Sequence, residues 1–174
     1  MTRSAIIKNM LAFLLVFLGV ASRLAVHTPQ FTAILAVAMF GGMYLSRRQA
    51  LIVPVALMII TDAVLGFHDT MVFTWGGMLA ISAIGVWLKD HKSFGTVLAG
   101  SILSAVVFFI VTNFGAWLSP LYPHTWAGLR ECYILAIPFF RSTLASTVAY
   151  SMVLYAGYEW ACKRSQGTAL ARLF

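Results

Sequence analysis

The sequence is poor in charge. Only 10% of its 174 residues are Asp, Glu, Lys or Arg, against about a quarter in an average soluble domain. So few charges cannot cover a water-facing surface, which excludes an ordinary soluble domain and points to an integral membrane protein. Acidic residues are scarcest, five against 12 basic ones. Cysteine is nearly absent as well. Cys132 and Cys162 lack any CxxC-type metal spacing, and the topology derived below sets them at opposite ends of one helix, too far apart for a disulfide. Also missing are the phosphate-binding GxxxxGK[ST] loop, the GxSxG and GxGxxG turns and the HExxH zinc motif. No catalytic activity and no cofactor are therefore expected. Uphill movement of a solute would have to draw its energy from a partner or an ion.

What the sequence has in quantity is long apolar runs. Hydrophobic residues make up 61% and the mean hydropathy is +0.89. A helix needs about 20 apolar residues to cross the hydrocarbon core. Six candidate spans follow, at roughly 5–25, 31–46, 50–67, 71–88, 95–118 and 133–161, forming one transmembrane domain over residues 1–174 and an all-α bundle. The breaks between them are chemically reasonable: "HTPQ" (27–30) holds a proline, "SRRQ" (46–49) a basic pair and "KDHKS" (89–93) a run of titratable groups. "SPLYPHTWAGLREC" (119–132) reads as the one long loop, with two prolines, a glycine and interfacial aromatics. The basic start and apolar run of residues 1–25 share features with a secretory signal. Arg23 and "AVHTPQ" follow where a small-x-small cleavage site would stand, so retention as a first helix is expected.

Orientation follows from the basic residues. With both termini cytoplasmic, the inner side carries Arg3, Lys8, Arg47, Arg48, Lys89, Lys92, Lys163, Arg164 and Arg172, leaving Arg23, Arg130 and Arg141 for the outer half. That asymmetry obeys the positive-inside rule, and an even number of spans agrees with it.

The remaining polar groups then gather toward the outer side. Asp62 ends an apolar run, with His68 and Asp69 just beyond. Asn113 and Trp117 lie near the outer end of the fifth helix. Tyr122, His124, Arg130 and Glu131 sit in the long loop, Arg141 on the outer half of the sixth helix, and Arg23 and His27 at the end of the first. An ionised carboxylate in lipid costs at least about 2.5–3.5 kcal/mol unless it is paired or reaches water. Asp62 is therefore expected to face inward, within reach of Arg141, Arg23 or Asn113. Such residues either staple the bundle or line a ligand cavity open to the outside. His27, His68, Asp69 and His124 are the weak candidates for a transition-metal site, chosen by ligand type alone, since no HxH or HxxxH spacing forces them together. The small residues of "FGGMY" (40–44) and "WGGML" (75–79), and the pairs Ala21–Ala25 and Gly95–Ala99, permit close helix packing, internal or against another membrane subunit.

Four features together carry a resemblance: "TPQFTAILAVAMFGGMYL" (28–45), "ITDAVLGFHD" (60–69), "FFIVTNFGAWLSPLYPHTWAGLRECYILAIPFFRSTL" (108–144) and the short first helix. They resemble an uncharacterised family of small bacterial six-helix membrane proteins that is similar in turn to the substrate-binding S components of energy-coupling factor (ECF) transporters. The resemblance covers most of residues 8–150. It implies an S-component-like bundle in the bacterial inner membrane that captures a vitamin-like micronutrient near the outer face. It further implies docking on a membrane scaffold subunit that carries cytoplasmic ATPases. S components use small residues in the cytoplasmic half of helix 1 for docking; here that half reads "KNMLAFLLVFLG", and the Ala21–Ala25 pair falls at the outer end.

The expected function is thus binding of a small organic micronutrient for uptake. Asp62, Asn113, Trp117, Tyr122 and Arg141 are the expected lining residues, with Arg23 and His27 at the rim. The alternatives are a non-enzymatic accessory subunit of a larger membrane complex and a transition-metal uptake component.

Overall fold

The computed structural model describes residues 3–25 and 30–165. These form six helices: α1 (Arg3–Ala25), α2 (Ile34–Tyr44), α3 (Arg47–Leu65), α4 (Met71–Leu88), α5 (Phe94–Leu118) and α6 (Trp126–Ser165). No strand occurs among the described residues. Five of the helices are long and apolar enough to cross a membrane. The exception is α2, where a short span over 31–46 was expected and a still shorter helix is found. Its 11 residues reach only about 16 Å at 1.5 Å per residue.

The other difference is in α6, which was expected to start at 133 but begins at Trp126. Both prolines of the preceding segment, Pro120 and Pro123, lie upstream of Trp126. Nothing in "WAGLREC" breaks a helix, and Thr125 Oγ1 accepts a hydrogen bond from the Gly128 N–H at 3.2 Å, covering an otherwise unpaired donor in the first turn. The long loop therefore shrinks to 119–125. Cys132 and Cys162 both lie on α6, and they form no disulfide with each other.

The short helix is the centre of the bundle. Every residue from Ile34 to Met43 is buried. Around α2 the other five stand in an incomplete ring. α1 packs on α3, α3 on α4, α4 on α5 and α5 on α6, and each of them also touches α2. Among the described residues α6 and α1 do not pack against each other. Glycine sets the closest crossing. A Cβ on Gly42 would run into the Ser82 carbonyl of α4, and a Cβ on Gly85 into the Met39 carbonyl of α2. Contact between these backbones needs hydrogen in place of a side chain. Gly42 of "FGGMY" is thus used inside the bundle, whereas a Cβ on Gly41 would meet only the Leu45 side chain at 3.6 Å. Gly85, which the sequence did not single out, is the counterpart of Gly42.

Polar groups tie the helices where lipid offers no hydrogen bonds. Ser82 Oγ lies 2.8 Å from the Ala50 carbonyl of α3 and 3.2 Å from the Ala38 carbonyl of α2. Ser22 of α1 accepts from the Ala33 N–H at 3.0 Å, anchoring the approach to α2. At the end of the bundle that holds the basic loops, Ser46 with Gln49 and Ser93 with Thr96 form capping boxes that start α3 and α5. There Tyr44 donates to Glu159 Oε1 at 2.7 Å, and Lys92 Nζ sits 4.4 Å from the Tyr44 ring centre. The opposite end, holding residues 66–70 and 119–125, is called the far end below.

Candidate ligand-binding site

Because α2 stops about half a membrane short, the ring is unfilled beyond its first residue. A cavity of about 580 Å³ occupies that space. All six helices reach it: Arg23 from α1, Ile34 from α2, Met58 and Leu65 from α3, Thr74 from α4, Asn113 from α5 and Thr143 from α6. Gln30, Thr32 and His68 come from the connecting segments, and Phe108, Phe109, Phe139 and Phe140 supply aromatic walls.

The electrostatic centre is an ion pair in the wall. Asp62 lies one turn before the end of α3, fully buried at 0% exposure. Its Oδ1 is 2.8 Å from Arg23 Nη1, whose side chain is 18% exposed. Its Oδ2 accepts from the Trp75 indole N–H at 2.8 Å. The Nη1 protons themselves point to the Thr61 hydroxyl and the Met58 sulfur. Oδ1 is therefore held by charge at short range and has no aligned hydrogen bond. Thr61 in turn donates to the Leu57 carbonyl at 2.9 Å, which turns its oxygen toward the guanidinium. The pair is polarised: the carboxylate is hidden in α3 and the cation faces the cavity. Just beyond, α3 ends at Gly66, whose φ of 103° lies where side chains are strained. That turn releases the chain so that His68 can reach the cavity, its Nδ1 2.9 Å from Thr70 Oγ1.

The expected site residues divide cleanly. Asp62 faces inward and is paired, and its partner is Arg23. Arg23 and Asn113 line the cavity, with Asn113 donating to the Phe109 carbonyl at 2.7 Å, which leaves its side-chain oxygen free to accept. Three of the expected residues lie outside this lining. Arg141 is exposed and absent from the lining, because helical spacing puts it on the opposite side of α6 from Ala136, Phe140 and Thr143. Trp117 spends its indole N–H on the Pro123 carbonyl at 3.1 Å and faces the 119–125 loop. Tyr122 sits in that loop, outside the lining. His27 lies outside the described residues. The metal candidates do not assemble: among the described residues no three His, Cys, Asp or Glu side chains are grouped to hold an ion. His124 lies against the Trp117 ring at 5.6 Å, and Asp69 is exposed outside the lining.

Several contributors carried no usable sequence signal. Trp75 stands in "WGGML", which drew attention for its glycines. Thr74, Thr112 and Thr143, which line the cavity, and Thr61, which holds Arg23 behind it, are hydroxyl residues of the kind found on any membrane helix, and only the packing assigns them these places.

The fold and cavity define a multi-pass helical membrane protein whose described residues enclose a partly open chamber at the far end. The chain belongs to a family of unknown function, DUF6580, whose model matches residues 3–170. No curated protein and no solved structure matches it.

Proposed function

We propose that this protein is a substrate-binding component of the inner membrane of a bacterium, S-component-like in plan, that captures a small organic micronutrient for uptake. The observation that carries the reading is the chamber itself. A bundle needing only stability would fill the space beyond α2 with side chains, since interiors pack to crystal-like density. Here about 580 Å³ stays open, walled by phenylalanines with a few convergent polar groups, the usual make-up of a small-molecule site. The basic asymmetry supports cytoplasmic termini and an outward-facing chamber. Without a nucleotide-binding motif, uptake relies on partner subunits, a scaffold with cytoplasmic ATPases in the plan proposed. Native mass spectrometry of the gently purified protein tests this. A retained small organic molecule, with or without partner subunits, supports it, and a chain that keeps no small molecule under any condition overturns it.

A second reading, an accessory subunit of a larger membrane complex, has one observation in its favour. Arg141 is exposed on α6, one and two turns from the exposed small residues Ala145 and Ala149, and no acidic partner for it occurs among the described residues. The same mass spectrum would report such a subunit directly.

A further inference from the structure

The chamber has an opening that its position in the ring explains. Each neighbouring pair from α1 through α3, α4 and α5 to α6 is packed, but among the described residues the ring is not closed between α6 and α1. Near the start of α2 the segment leading into it fills this gap. There Ser146 of α6 donates to the Gln30 carbonyl at 3.4 Å, and the rings of Phe31 and Tyr150 stand 6.0 Å apart. Toward the far end from that level lies the chamber.

Two apolar lining residues are more than half exposed, Phe139 at 52% and Leu65 at 57%. A side chain that both lines a cavity and faces outward stands at its mouth. Leu65 ends α3, where an opening toward the aqueous phase is natural. Phe139 does not lie at an end. It sits about 13 residues into α6, roughly 20 Å along its axis. Its neighbour Phe140 packs on Phe109 with ring centres 4.7 Å apart, and Phe109 is about nine residues, or 13 Å, below the far end of α5. Phe139 thus lies within the apolar belt, on the side of α6 that borders the gap, with Arg23 as the polar residue of α1 facing the same chamber.

Arg23 also has unused capacity. A guanidinium carries five N–H donors. Only Nη1 is engaged by Thr61, Met58 and Asp62. The Nε–H and the Nη2 protons have no protein acceptor among the described residues. Since Asp62 already balances the charge from behind, the chamber meets the positive end of a neutral pair, which favours an oxygen acceptor and repels a cation.

Resting on the reading that the chamber binds a small organic molecule, we infer that this molecule is an amphiphile that loads sideways from the hydrocarbon past Phe139. Its head is a carboxyl or carbonyl group set on Arg23, and its apolar body lies among Phe108, Phe109, Phe139 and Phe140. A strongly hydrated solute would have to shed its water against a phenylalanine lip to take this route; an amphiphile already in the bilayer would not.

The test uses the full chain in phosphatidylcholine nanodiscs with a diazirine-bearing C16 chain in three forms: carboxylic acid, primary amide and primary amine. The acid and amide should label the α5 and α6 segments around Phe109 and Phe140, and the amine should label them about tenfold less, the worth of one charge-assisted hydrogen bond. Arg23→Gln combined with Asp62→Asn, which keeps the wall free of an unpaired charge, should lower acid labelling by a similar factor. Phe139→Trp narrows the lip on an exposed face and should slow labelling several-fold without moving the melting temperature. Equal labelling by all three heads, or rates indifferent to Phe139→Trp, overturns the inference. If native mass spectrometry finds a water-soluble molecule whose binding ignores Phe139→Trp, sideways loading fails and the substrate-binding reading stands. If neither label nor retained molecule appears, both fail.

Discussion

The Arg23–Asp62 pair makes an asymmetric prediction. The carboxylate is wholly buried and the guanidinium partly faces the chamber, so the two halves should not be equally costly to remove. Arg23→Met leaves Asp62 charged, buried and without a counterion. Removing one partner of a buried pair costs about 3–5 kcal/mol. The Trp75 hydrogen bond to Oδ2 remains but cannot replace a counterion. Asp62→Asn is gentler. The amide oxygen still accepts from Trp75, and Arg23 turns its charge toward the chamber, so about 1–2 kcal/mol is expected, the scale of one altered buried hydrogen bond. Combining the two removes the uncompensated anion, so the double variant should be more stable than Arg23→Met alone by about 2 kcal/mol or more, in line with coupling between contacting residues. Reversible SDS-induced unfolding in mixed micelles, followed by tryptophan fluorescence, gives the three free energies. Equal costs for the two single changes, or a double variant whose loss is their sum, would refute the claim that the buried carboxylate is the demanding member of the pair.

Trp75→Phe deletes the N–H that satisfies Asp62 Oδ2 and should destabilise by about 1.5–3 kcal/mol, the worth of a hydrogen bond to a charged group, read in the same unfolding assay. Gly85→Ala and Gly42→Ala each drive a methyl into the facing backbone and should cost about 1–3 kcal/mol or more, whereas Gly76→Ala, whose new Cβ would meet nothing within 4 Å, should be near neutral; matched melting curves separate the two classes. Arg141→Ala should leave retention of any chamber ligand unchanged in native mass spectra, because the side chain lies off the lining. Reporter fusions at residues 1 and 174 should both signal from the cytoplasm, and an outward signal from either end would defeat the proposed orientation.

The sequence by itself determined the solvent and the material. Scarce charge and long apolar runs leave no alternative to lipid, and most helix positions follow because a span must be apolar, continuous and broken by polar or proline-bearing links. Asp62 was legible for the same reason: a carboxylate beside a long apolar run has to find a partner within the protein. Which partner it finds was not legible. Arg23 and Arg141 are both outer-half arginines in the one-dimensional reading. They separate only when α1 lies against α3 and the turn of α6 carries Arg141 to the outside. The shortness of α2 was legible only in part: 31–46 already reads as a short span, but that its first residues lead into the bundle as irregular chain shows only once the helices are packed. The chamber follows from that one fact together with the placement of α2 at the centre of the ring. An empty space has no residue of its own, so no residue pattern announces it. It arises from the mismatch between a short central helix and its longer neighbours, and that mismatch exists only once the helices are packed.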